Sequence, residues 1–375
     1  MYAPTSTNSP RSGPTSGDDD GLIDFDGAGE ILRAWGNGLR PDPDLTVSEW
    51  ADRHRMLSGR ASAEPGRYRT ARTPYMREIM DRLSPGDPTQ RIVFMKAAQV
   101  GATEAGNNWI GFAIHQAPGP MLAVQPTVEL AKRNSRQRID PLIEESPELR
   151  ERIKPARSRD AGNTMLSKEF AGGILIMTGA NSAVGLRSTP ARYIFLDEVD
   201  AYPASADEEG DPVTLAEARS LTFAHRRKVL LVSTPTIRGL SRIEREYEAS
   251  DQRRFFVPCP HCGAMQWLKL DRLRWQKGKP ETAEYHCEGC DAAIAEHHKT
   301  AMLEGGEWRA TATAADPTTV GYHLSALYSP IGWLSWRRKC ASCAGRTRSC
   351  GRHRLSSRLS STAPRGDVCV HRRAS

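Results

Sequence analysis

Short apolar runs recur along the middle of the chain and alternate with stretches of helical periodicity. The runs are candidates for buried strands, and they lie at Ile92–Met95, Met121–Val124, Ile174–Met177, Tyr193–Leu196 and Val229–Val232. The helical patterns between and after them cover roughly Glu104–His115, Val128–Glu144 and Thr214–Phe223. This alternation predicts an α/β domain with a mainly parallel sheet flanked by helices.

Composition divides the chain into five segments. Residues 1–45 are rich in Ser, Thr, Pro, Gly and Asp and are expected to be disordered, apart from a short patch at 30–35 that could form a helix. Residues 46–250 carry the α/β pattern, and residues 251–300 form a cysteine-bearing module. Residues 301–336 are interpreted as a linker or the beginning of a further domain. Residues 337–375 show neither helical nor strand periodicity.

The last segment carries most of the charge imbalance. From Arg337 onwards it holds 11 of the 52 Lys and Arg but only one acid, Asp367, so the net charge of +7 says little about the rest of the chain. Three interpretations stay open: a disordered basic tail, a nucleic-acid-binding arm, or an out-of-frame stretch of a GC-rich gene, which we favour. No stretch reaches the roughly 18 apolar residues of a membrane span, and the N-terminus lacks a signal peptide, so a cytoplasmic protein is expected.

A loop with the features of a phosphate-binding site follows the first apolar run. It comprises Lys96, Ala97, Ala98, Gln99, Val100, Gly101, Ala102 and Thr103. Against the usual pattern G-x-x-x-x-G-K-[ST], Gly101 and Thr103 match, whereas the lysine stands at the front as Lys96. Backbone N–H groups and a helix N-terminus could still bind phosphate, with Thr103 as a magnesium ligand. The alternative is an ordinary strand-to-helix turn with an incidental lysine.

A second apolar run ends in two adjacent carboxylates, Asp197 and Glu198. Such a pair can divide the work of hydrolysis, with Asp197 holding Mg²⁺ and Glu198 polarising the attacking water. Asp200 is more simply interpreted as a helix cap or a surface charge. The order of this motif and the phosphate loop makes ATP hydrolysis the leading hypothesis.

Two further patterns add to this prediction. Ser233 and Thr234 follow another apolar run, where a strand end beside the γ-phosphate could couple hydrolysis to motion, although Ser-Thr-Pro is also common in turns. Two C-x-x-C pairs with 24 residues between them predict a structural Zn–S₄ site in a zinc ribbon, with ligands Cys259, Cys262, Cys287 and Cys290. Its strands are expected near Phe255–Val257, Gln266–Leu270 and Ala283–His286.

These motifs, in this order over roughly residues 46–336, resemble the large terminase subunit of tailed phages of the GpA (lambda-like) type. The resemblance implies a P-loop ATPase with ATP, Mg²⁺ and structural Zn²⁺, which packs double-stranded DNA into a capsid in the cytoplasm of the host bacterium. It also implies a small terminase subunit, the portal of the procapsid and further copies of the chain as partners, and no membrane.

The resemblance assigns roles to individual residues. Lys96 is implied as nucleotide-binding and catalytic, and Tyr68 and Tyr75 are candidates for stacking on adenine. Gln99 stands where family members often carry an arginine, so that charge must come from elsewhere, with Arg187 or a neighbouring subunit as candidates.

The family's nuclease domain is not recognisable in this chain, so its endonuclease activity is not expected here. Two alternatives therefore stay open. The chain could be a truncated product that binds ATP or DNA without catalysis, or a helicase-like DNA-dependent ATPase, for which 375 residues leave little room for a second ATPase domain.

Overall fold

The computed structural model describes residues 27–39, 43–60, 62–153, 162–276 and 279–344. It divides into two units, Met1–Asp44 and Leu45–Ser375. In the first unit, helix α1 (Ala28–Leu39) includes the patch that the sequence marked as helical, and it exposes Ile31, Leu32, Trp35 and Leu39. Residues 1–26, where disorder was expected, lie outside the described residues. Within the described ranges, no helix is both long and apolar enough to cross a membrane.

The second unit is built from strands and short helices. Its strands are β1 (Met56–Leu57), β2 (Gly66–Arg67), β3 (Arg91–Lys96), β4 (Met121–Gln125), β5 (Ser167–Phe170), β6 (Gly173–Gly179), β7 (Tyr193–Asp197), β8 (Lys228–Ser233), β9 (Arg253–Pro258), β10 (Met265–Trp267), β11 (Leu273–Gln276), β12 (Lys279–His286), β13 (Ala293–Ile294), β14 (Glu307–Arg309) and β15 (Thr319–Leu324). Its helices are α2 (Val47–His54), α3 (Met76–Asp81), α4 (Ala102–His115), α5 (Val128–Asn134), α6 (Asp140–Glu145), α7 (Pro147–Arg152), α8 (Ala183–Arg187), α9 (Pro212–Glu217), α10 (Arg242–Glu248), α11 (Lys299–Glu304) and α12 (Trp336–Ala344).

The central sheet confirms the prediction of a mainly parallel α/β fold. Its order is β10-β9-β15-β3-β8-β7-β4-β6-β5, with β14 paired to β9. Every neighbouring pair from β9 to β6 is parallel, whereas β5, β10 and β14 are antiparallel to their neighbours. The five apolar runs form β3, β4, β6, β7 and β8, each within a few residues of its predicted bounds.

Helices cover both faces of this sheet, which explains why its strands are apolar at almost every position. Along β3, Ile92 and Phe94 belong to one buried cluster and Val93 and Met95 to the other. Close packing of α4 on the sheet depends on Gly106, where an added Cβ would lie 2.2 Å from the Phe195 ring. The loop before α4 is thereby fixed at the C-terminal edge of the sheet.

Part of the segment 301–336, which was predicted to be a linker or the beginning of a further domain, belongs to the central sheet. Thr319–Leu324 forms β15, which inserts between β9 and β3 and pairs in parallel with all six residues of β3. The sequence did not predict this strand because Gly321 and His323 interrupt its apolar pattern. The segment therefore completes the sheet that carries the phosphate loop.

Two predicted helices are also interrupted. The pattern Val128–Glu144 forms α5 and α6, separated by a π-helical turn at Ser135–Ile139. The pattern Thr214–Phe223 covers most of α9 and then continues as a 3₁₀ helix from Ala218. The first interruption precedes Pro141, which lacks an N–H for the helix and marks the break in the sequence. The second changes the hydrogen-bond spacing without a Gly or Pro between Thr214 and Phe223.

The predicted tail begins with ordered structure. Helix α12 includes 337–344, where disorder was expected, and Cys340 within it is fully buried. The ring of Trp336 packs 5.8 Å from that of Tyr285 on β12, and its Nε1 donates to the Leu327 carbonyl at 3.0 Å. Burial of these side chains accounts for the helix. Residues 345–375, to which the three interpretations of the tail also apply, lie outside the described residues.

Candidate active site

The candidate phosphate loop lies between β3 and α4 and is tied to β15 on one side. The Ala97 amide donates to the Leu324 carbonyl at 2.9 Å, and the Ser329 hydroxyl donates to the Gln99 carbonyl at 3.3 Å. Gln99 and Gly101 have positive φ of 61° and 84°, so the backbone turns sharply before the N-terminus of α4. A left-handed residue at position 101 favours glycine. This turn leaves the helix N-terminus available to an anion.

Strand order brings the other candidate residues to the same edge. β3 pairs with β8, and β8 pairs with β7, all in parallel. Their last residues are Lys96, Ser233 and Asp197, so the strand ends meet beside the phosphate loop. In parallel α/β sheets, ligands bind outside the carboxyl ends of the strands.

Lys96 and Glu198 form a close ion pair at the centre of this edge. The lysine Nζ lies 2.5 Å from Glu198 Oε1 and donates to Thr234 Oγ1 at 3.1 Å. The Thr234 amide lies 3.4 Å from the other carboxylate oxygen of Glu198. Glu198 itself has left-handed backbone angles, φ 54° and ψ 51°, which direct the chain away from β7. Three strand ends thus contribute one polar cluster.

Asp197 lies deeper than Glu198. Its Oδ2 lies 3.5 Å from Thr103 Oγ1 and 3.3 Å from Gln125 Nε2, whereas its Oδ1 is buried with no hydrogen-bond partner among the described residues. Burial raises the pKa of Asp197 to about 6, and the neighbouring Glu198 charge adds to the rise. An unpartnered buried carboxylate oxygen beside a threonine hydroxyl suits a magnesium ion, which prefers oxygen ligands.

Ser233 occupies a different position from Thr234. Its hydroxyl accepts the Asp200 amide at 3.1 Å and donates to the Thr234 carbonyl at 3.3 Å. It is fully buried. Of the two residues predicted to couple hydrolysis to motion, only Thr234 contacts Lys96 and Glu198, whereas Ser233 contacts the turn that follows Glu198.

The two tyrosines predicted to stack on adenine are both buried. Tyr75 is fully buried, and Tyr68 is 7% exposed, so neither ring offers an open face to a base. The Tyr75 hydroxyl donates to the Val100 carbonyl at 3.2 Å, and its ring packs edge-on against Phe255. The apolar packing that hides these rings was not visible in their local sequence. Tyr75 therefore supports the candidate phosphate loop through its hydrogen bond to the Val100 carbonyl.

Another aromatic side chain lies beside the loop instead. A Cβ built on Gly101 would lie 3.8 Å from the Trp333 ring, which is partly exposed. Trp333 Nε1 donates to Glu64 at 2.9 Å, and the guanidinium of Arg72 lies 5.7 Å from the ring centroid. No local motif marked Trp333. Its position beside the loop depends on β15, which inserts into the sheet and precedes it in the chain.

Other residues at the site were not predicted as members of it. Gln125 ends β4, the strand beside β7, and its contact with Asp197 follows from that register. Glu104, directly after Thr103, is paired with Arg55 at 3.1 Å and with Arg138 from the π-helical turn. Only Gln125 carried a usable signal in the sequence, as a polar residue at the end of an apolar run. Arg187 forms an ion pair with Glu209.

The four cysteines converge at the tips of two hairpins. Cys259 and Cys262 lie in the turn between β9 and β10, and Cys287 and Cys290 lie between β12 and β13. All four sulfur atoms lie within 4.8 Å of one another, and the pairs 259–290 and 262–287 are separated by 3.9 and 3.8 Å. Tetrahedral zinc with Zn–S bonds of about 2.3 Å requires S–S distances of about 3.8 Å. The donor set and spacing therefore fit one zinc ion.

The cysteine module is not separate from the main sheet. β9 and β10 extend the central sheet, with β9 paired to β15, whereas β11, β12 and β13 form a three-stranded sheet of their own. The three strands predicted for a ribbon correspond to β9, β10 and the end of β12. Residues 251–300 therefore connect the cysteine cluster to the strand beside β3.

A parallel sheet with a phosphate loop after one strand and paired carboxylates at the end of a near neighbour defines the class of P-loop NTPases. The family described as "Phage terminase large subunit gpA, ATPase domain" matches residues 62–308. The chain belongs to this family.

Two curated relatives support this assignment. The chain is 27% identical over 329 residues to the terminase large subunit of Enterobacteria phage P21, covering 81% of this chain and 50% of the relative. It is 27% identical over 316 residues to that of Escherichia phage lambda, covering 78% and 48%. The chain therefore spans about half the length of the curated relatives it matches.

The chain is also similar to a solved structure, the large terminase ATPase domain of Thermus phage P74-26. The match covers 71% of this chain and 85% of the solved chain. The sequence identity is 12% and the TM-score is 0.36.

Proposed function

We propose that this chain hydrolyses ATP at the edge formed by β3, β7 and β8 and thereby powers the packaging of double-stranded DNA into a phage capsid. The observation that carries the proposal is the convergence of Lys96, Thr103, Asp197 and Glu198 within one polar cluster. Membership of the terminase ATPase family supports ATP as the nucleotide and DNA as the substrate that is moved. Such a motor would act in the cytoplasm of the host bacterium.

The residues divide the work of hydrolysis. Backbone N–H groups of the loop and the N-terminus of α4 hold the phosphates, and Lys96 supplies a charge-assisted hydrogen bond to them. Thr103 and Asp197 would hold Mg²⁺, which neutralises charge on the β- and γ-phosphates. Glu198 accepts a proton from the attacking water, and Thr234, which contacts Lys96 and Glu198, would respond to the γ-phosphate. Lys96 is paired with Glu198, so ATP must compete with this carboxylate for the lysine.

The relatives' designation as large subunits supports a small terminase subunit as one partner. DNA packaging delivers DNA into a capsid, so we propose the portal of the procapsid as a second partner and other copies of this chain as a third. None of these partners is needed to form the polar cluster. Hydrolysis can therefore be tested on the chain alone.

The test is ATP hydrolysis by the purified chain with Mg²⁺, with EDTA, and with or without linear double-stranded DNA. We expect hydrolysis that requires Mg²⁺ and that DNA accelerates. Magnesium-dependent hydrolysis without any response to DNA would contradict the packaging role. Binding of ATP without hydrolysis would favour the alternative of a non-catalytic protein.

The burial of Asp197 predicts a conflict between stability and function. Because its folded pKa of about 6 exceeds the unfolded value of 3.8, the folded chain binds the proton more tightly, and stability falls as pH rises from about 4 to 6. Asp197→Asn is expected to raise the free energy of unfolding of the metal-free chain at pH 7.5 by on the order of 1–3 kcal/mol. The gain should be much smaller at pH 4.5, while magnesium-dependent hydrolysis is lost. Urea unfolding at both pH values measures this, and equal gains would contradict it.

The cysteine cluster is proposed to hold one structural zinc ion. Cys287→Ser is expected to lower the zinc content from one ion per chain and the midpoint of thermal unfolding, because the tips of two hairpins lose their link. Metal analysis and calorimetry measure both. The matched control is Cys340→Ser, a buried cysteine outside the cluster, which should keep its zinc. Full zinc content in Cys287→Ser would contradict the assignment.

A further inference from the structure

The turn directly after Glu198 is held by one carboxylate that the proposed mechanism does not use. Asp200 Oδ2 accepts the Thr236 amide at 2.9 Å and the Thr236 hydroxyl at 3.0 Å, and its Oδ1 accepts the Ile243 amide at 2.8 Å. Its own amide donates to Ser233 Oγ at 3.1 Å. Both oxygens and the backbone of Asp200 are therefore used. Its bond to the Ile243 amide in the first turn of α10 agrees with the interpretation as a helix cap, and its bonds to Thr236 and Ser233 go beyond that role.

These partners lie at the end of β8 or in the segment that follows it. Ser233 ends β8, Thr236 lies in the loop after it, and Ile243 lies in the first turn of α10. The segment between them also contacts the catalytic cluster, because Thr234 touches both Lys96 and Glu198. Two sets of hydrogen bonds thus join the turn after β7 to the segment at and after the end of β8. One is made between Glu198 and Thr234, and the other is made by Asp200. Together with the two chain segments, they form a closed ring of contacts.

This ring extends into the core. Ile243 is fully buried in the same cluster as Val93 and Met95 of β3, the strand that leads into the phosphate loop. Arg242 beside it donates to the Val199 carbonyl at 2.7 Å, one residue before Asp200. A shift of the Glu198 turn would therefore move α10 together with the end of β8.

We propose that Asp200 is a positioning residue for hydrolysis, which fixes the turn that carries Glu198 against Thr234 and transmits movement of that turn to α10. The proposal rests on the proposed ATPase function. It assigns no contact between Asp200 and the nucleotide. Its effect should therefore appear in the rate of the hydrolytic step and not in ATP binding.

The chain offers a matched control in Asp211. One of its oxygens also accepts the amide and hydroxyl of a threonine, Thr214, at 3.0 and 3.2 Å, and the other accepts from Arg242 at 2.8 Å. It thus bonds to a threonine at the start of α9 and, like Asp200, to the first turn of α10. It has no contact with Ser233 or Thr236 in the described structure. Asp211→Asn keeps an oxygen for Arg242, whose bond to the Val199 carbonyl is made by its other terminal nitrogen, so the variant reports what the loss of the bonds to Thr214 does to stability.

The experiment compares Asp200→Asn and Asp211→Asn with the full-length wild type. The asparagine amide at position 200 places a donor against the Ile243 or Thr236 donors, so we expect kcat to fall about 10- to 100-fold, as a displacement of about 1 Å in an active site does. KM and Kd for ATP should stay within about twofold, as for loss of an interaction made only in the transition state. Asp211→Asn should keep its kcat, although its unfolding midpoint falls similarly.

A second variant guards against misfolding. Thr236→Val removes one bond to Asp200 and keeps the backbone bond, so a smaller fall in kcat is expected, and the double variant with Asp200→Asn should show less than the sum of the two effects. An unchanged kcat in Asp200→Asn, or an equal loss in Asp211→Asn, would overturn the role of Asp200 alone. A wild type without ATPase activity would instead overturn the proposed function, and the role in hydrolysis with it.

Discussion

Replacement of Glu198 by Gln is expected to reduce ATP hydrolysis by about 10²- to 10⁴-fold, the range that a positioned general base contributes. The variant keeps the size of the side chain and an oxygen that can accept from Lys96 or Thr234. It loses the negative charge that attracts the proton of the attacking water. Single-turnover hydrolysis, measured with enzyme in excess over ATP, reports this step without product release.

The same substitution should not weaken ATP binding. Glu198 lies 2.5 Å from Lys96 Nζ and competes with the phosphates for that charge. The neutral glutamine competes less, so Kd for ATP should stay equal or fall. The matched control is Glu129→Gln, which neutralises the acid of the surface pair Glu129–Lys132, where Glu129 is 81% exposed. Unchanged hydrolysis in Glu198→Gln would assign the base to another residue.

The sequence predicted the strands well where burial on both faces made them apolar throughout. β3, β7 and β8 are of this kind. Because these strands are parallel, the phosphate loop and the acidic pair that follow them lie at one edge of the sheet. β15 escaped prediction because its partner β3 lies more than 200 residues earlier in the chain and its own pattern is mixed. Non-local pairing of this kind leaves no mark in a local window.

The site shows the same division. Lys96, Thr103, Asp197 and Glu198 were predicted from motifs, because their positions at strand ends and a helix start follow from local structure. Tyr68 and Tyr75 were placed by resemblance, and packing buries them. Trp333, Gln125 and Asp200 reach the site through the sheet order and the loop after β8, so their contacts depend on tertiary structure. Local sequence could not supply these non-local contacts, although Gln125 stood out as a polar residue at the end of an apolar run.

Replacement of Lys96 by Met is expected to weaken ATP binding by about 2 kcal/mol or more, which is about 30-fold in Kd, the value of a hydrogen bond to a charged group. Methionine keeps the length of the side chain but has no charge to offer the phosphates. Arginine at this position should not restore binding fully, because the cluster holds a compact ammonium group between Glu198 and Thr234, and a planar guanidinium differs in shape. Calorimetric titration with a non-hydrolysable ATP analogue and Mg²⁺ measures the affinity.

The lysine at the front of the loop is the largest departure from the usual phosphate-loop pattern, so this variant decides whether the departure is functional. Lys132→Met is the control, because it removes the basic partner of the surface pair already used for Glu129. If Lys96→Met binds ATP as the wild type does but hydrolyses it slowly, the lysine acts only through its pairing with Glu198. If both affinity and rate fall, while Glu198→Gln loses rate alone, the nucleotide takes the lysine from the carboxylate on binding. In that case, the ion pair between Lys96 and Glu198 keeps Glu198 from acting until ATP binds.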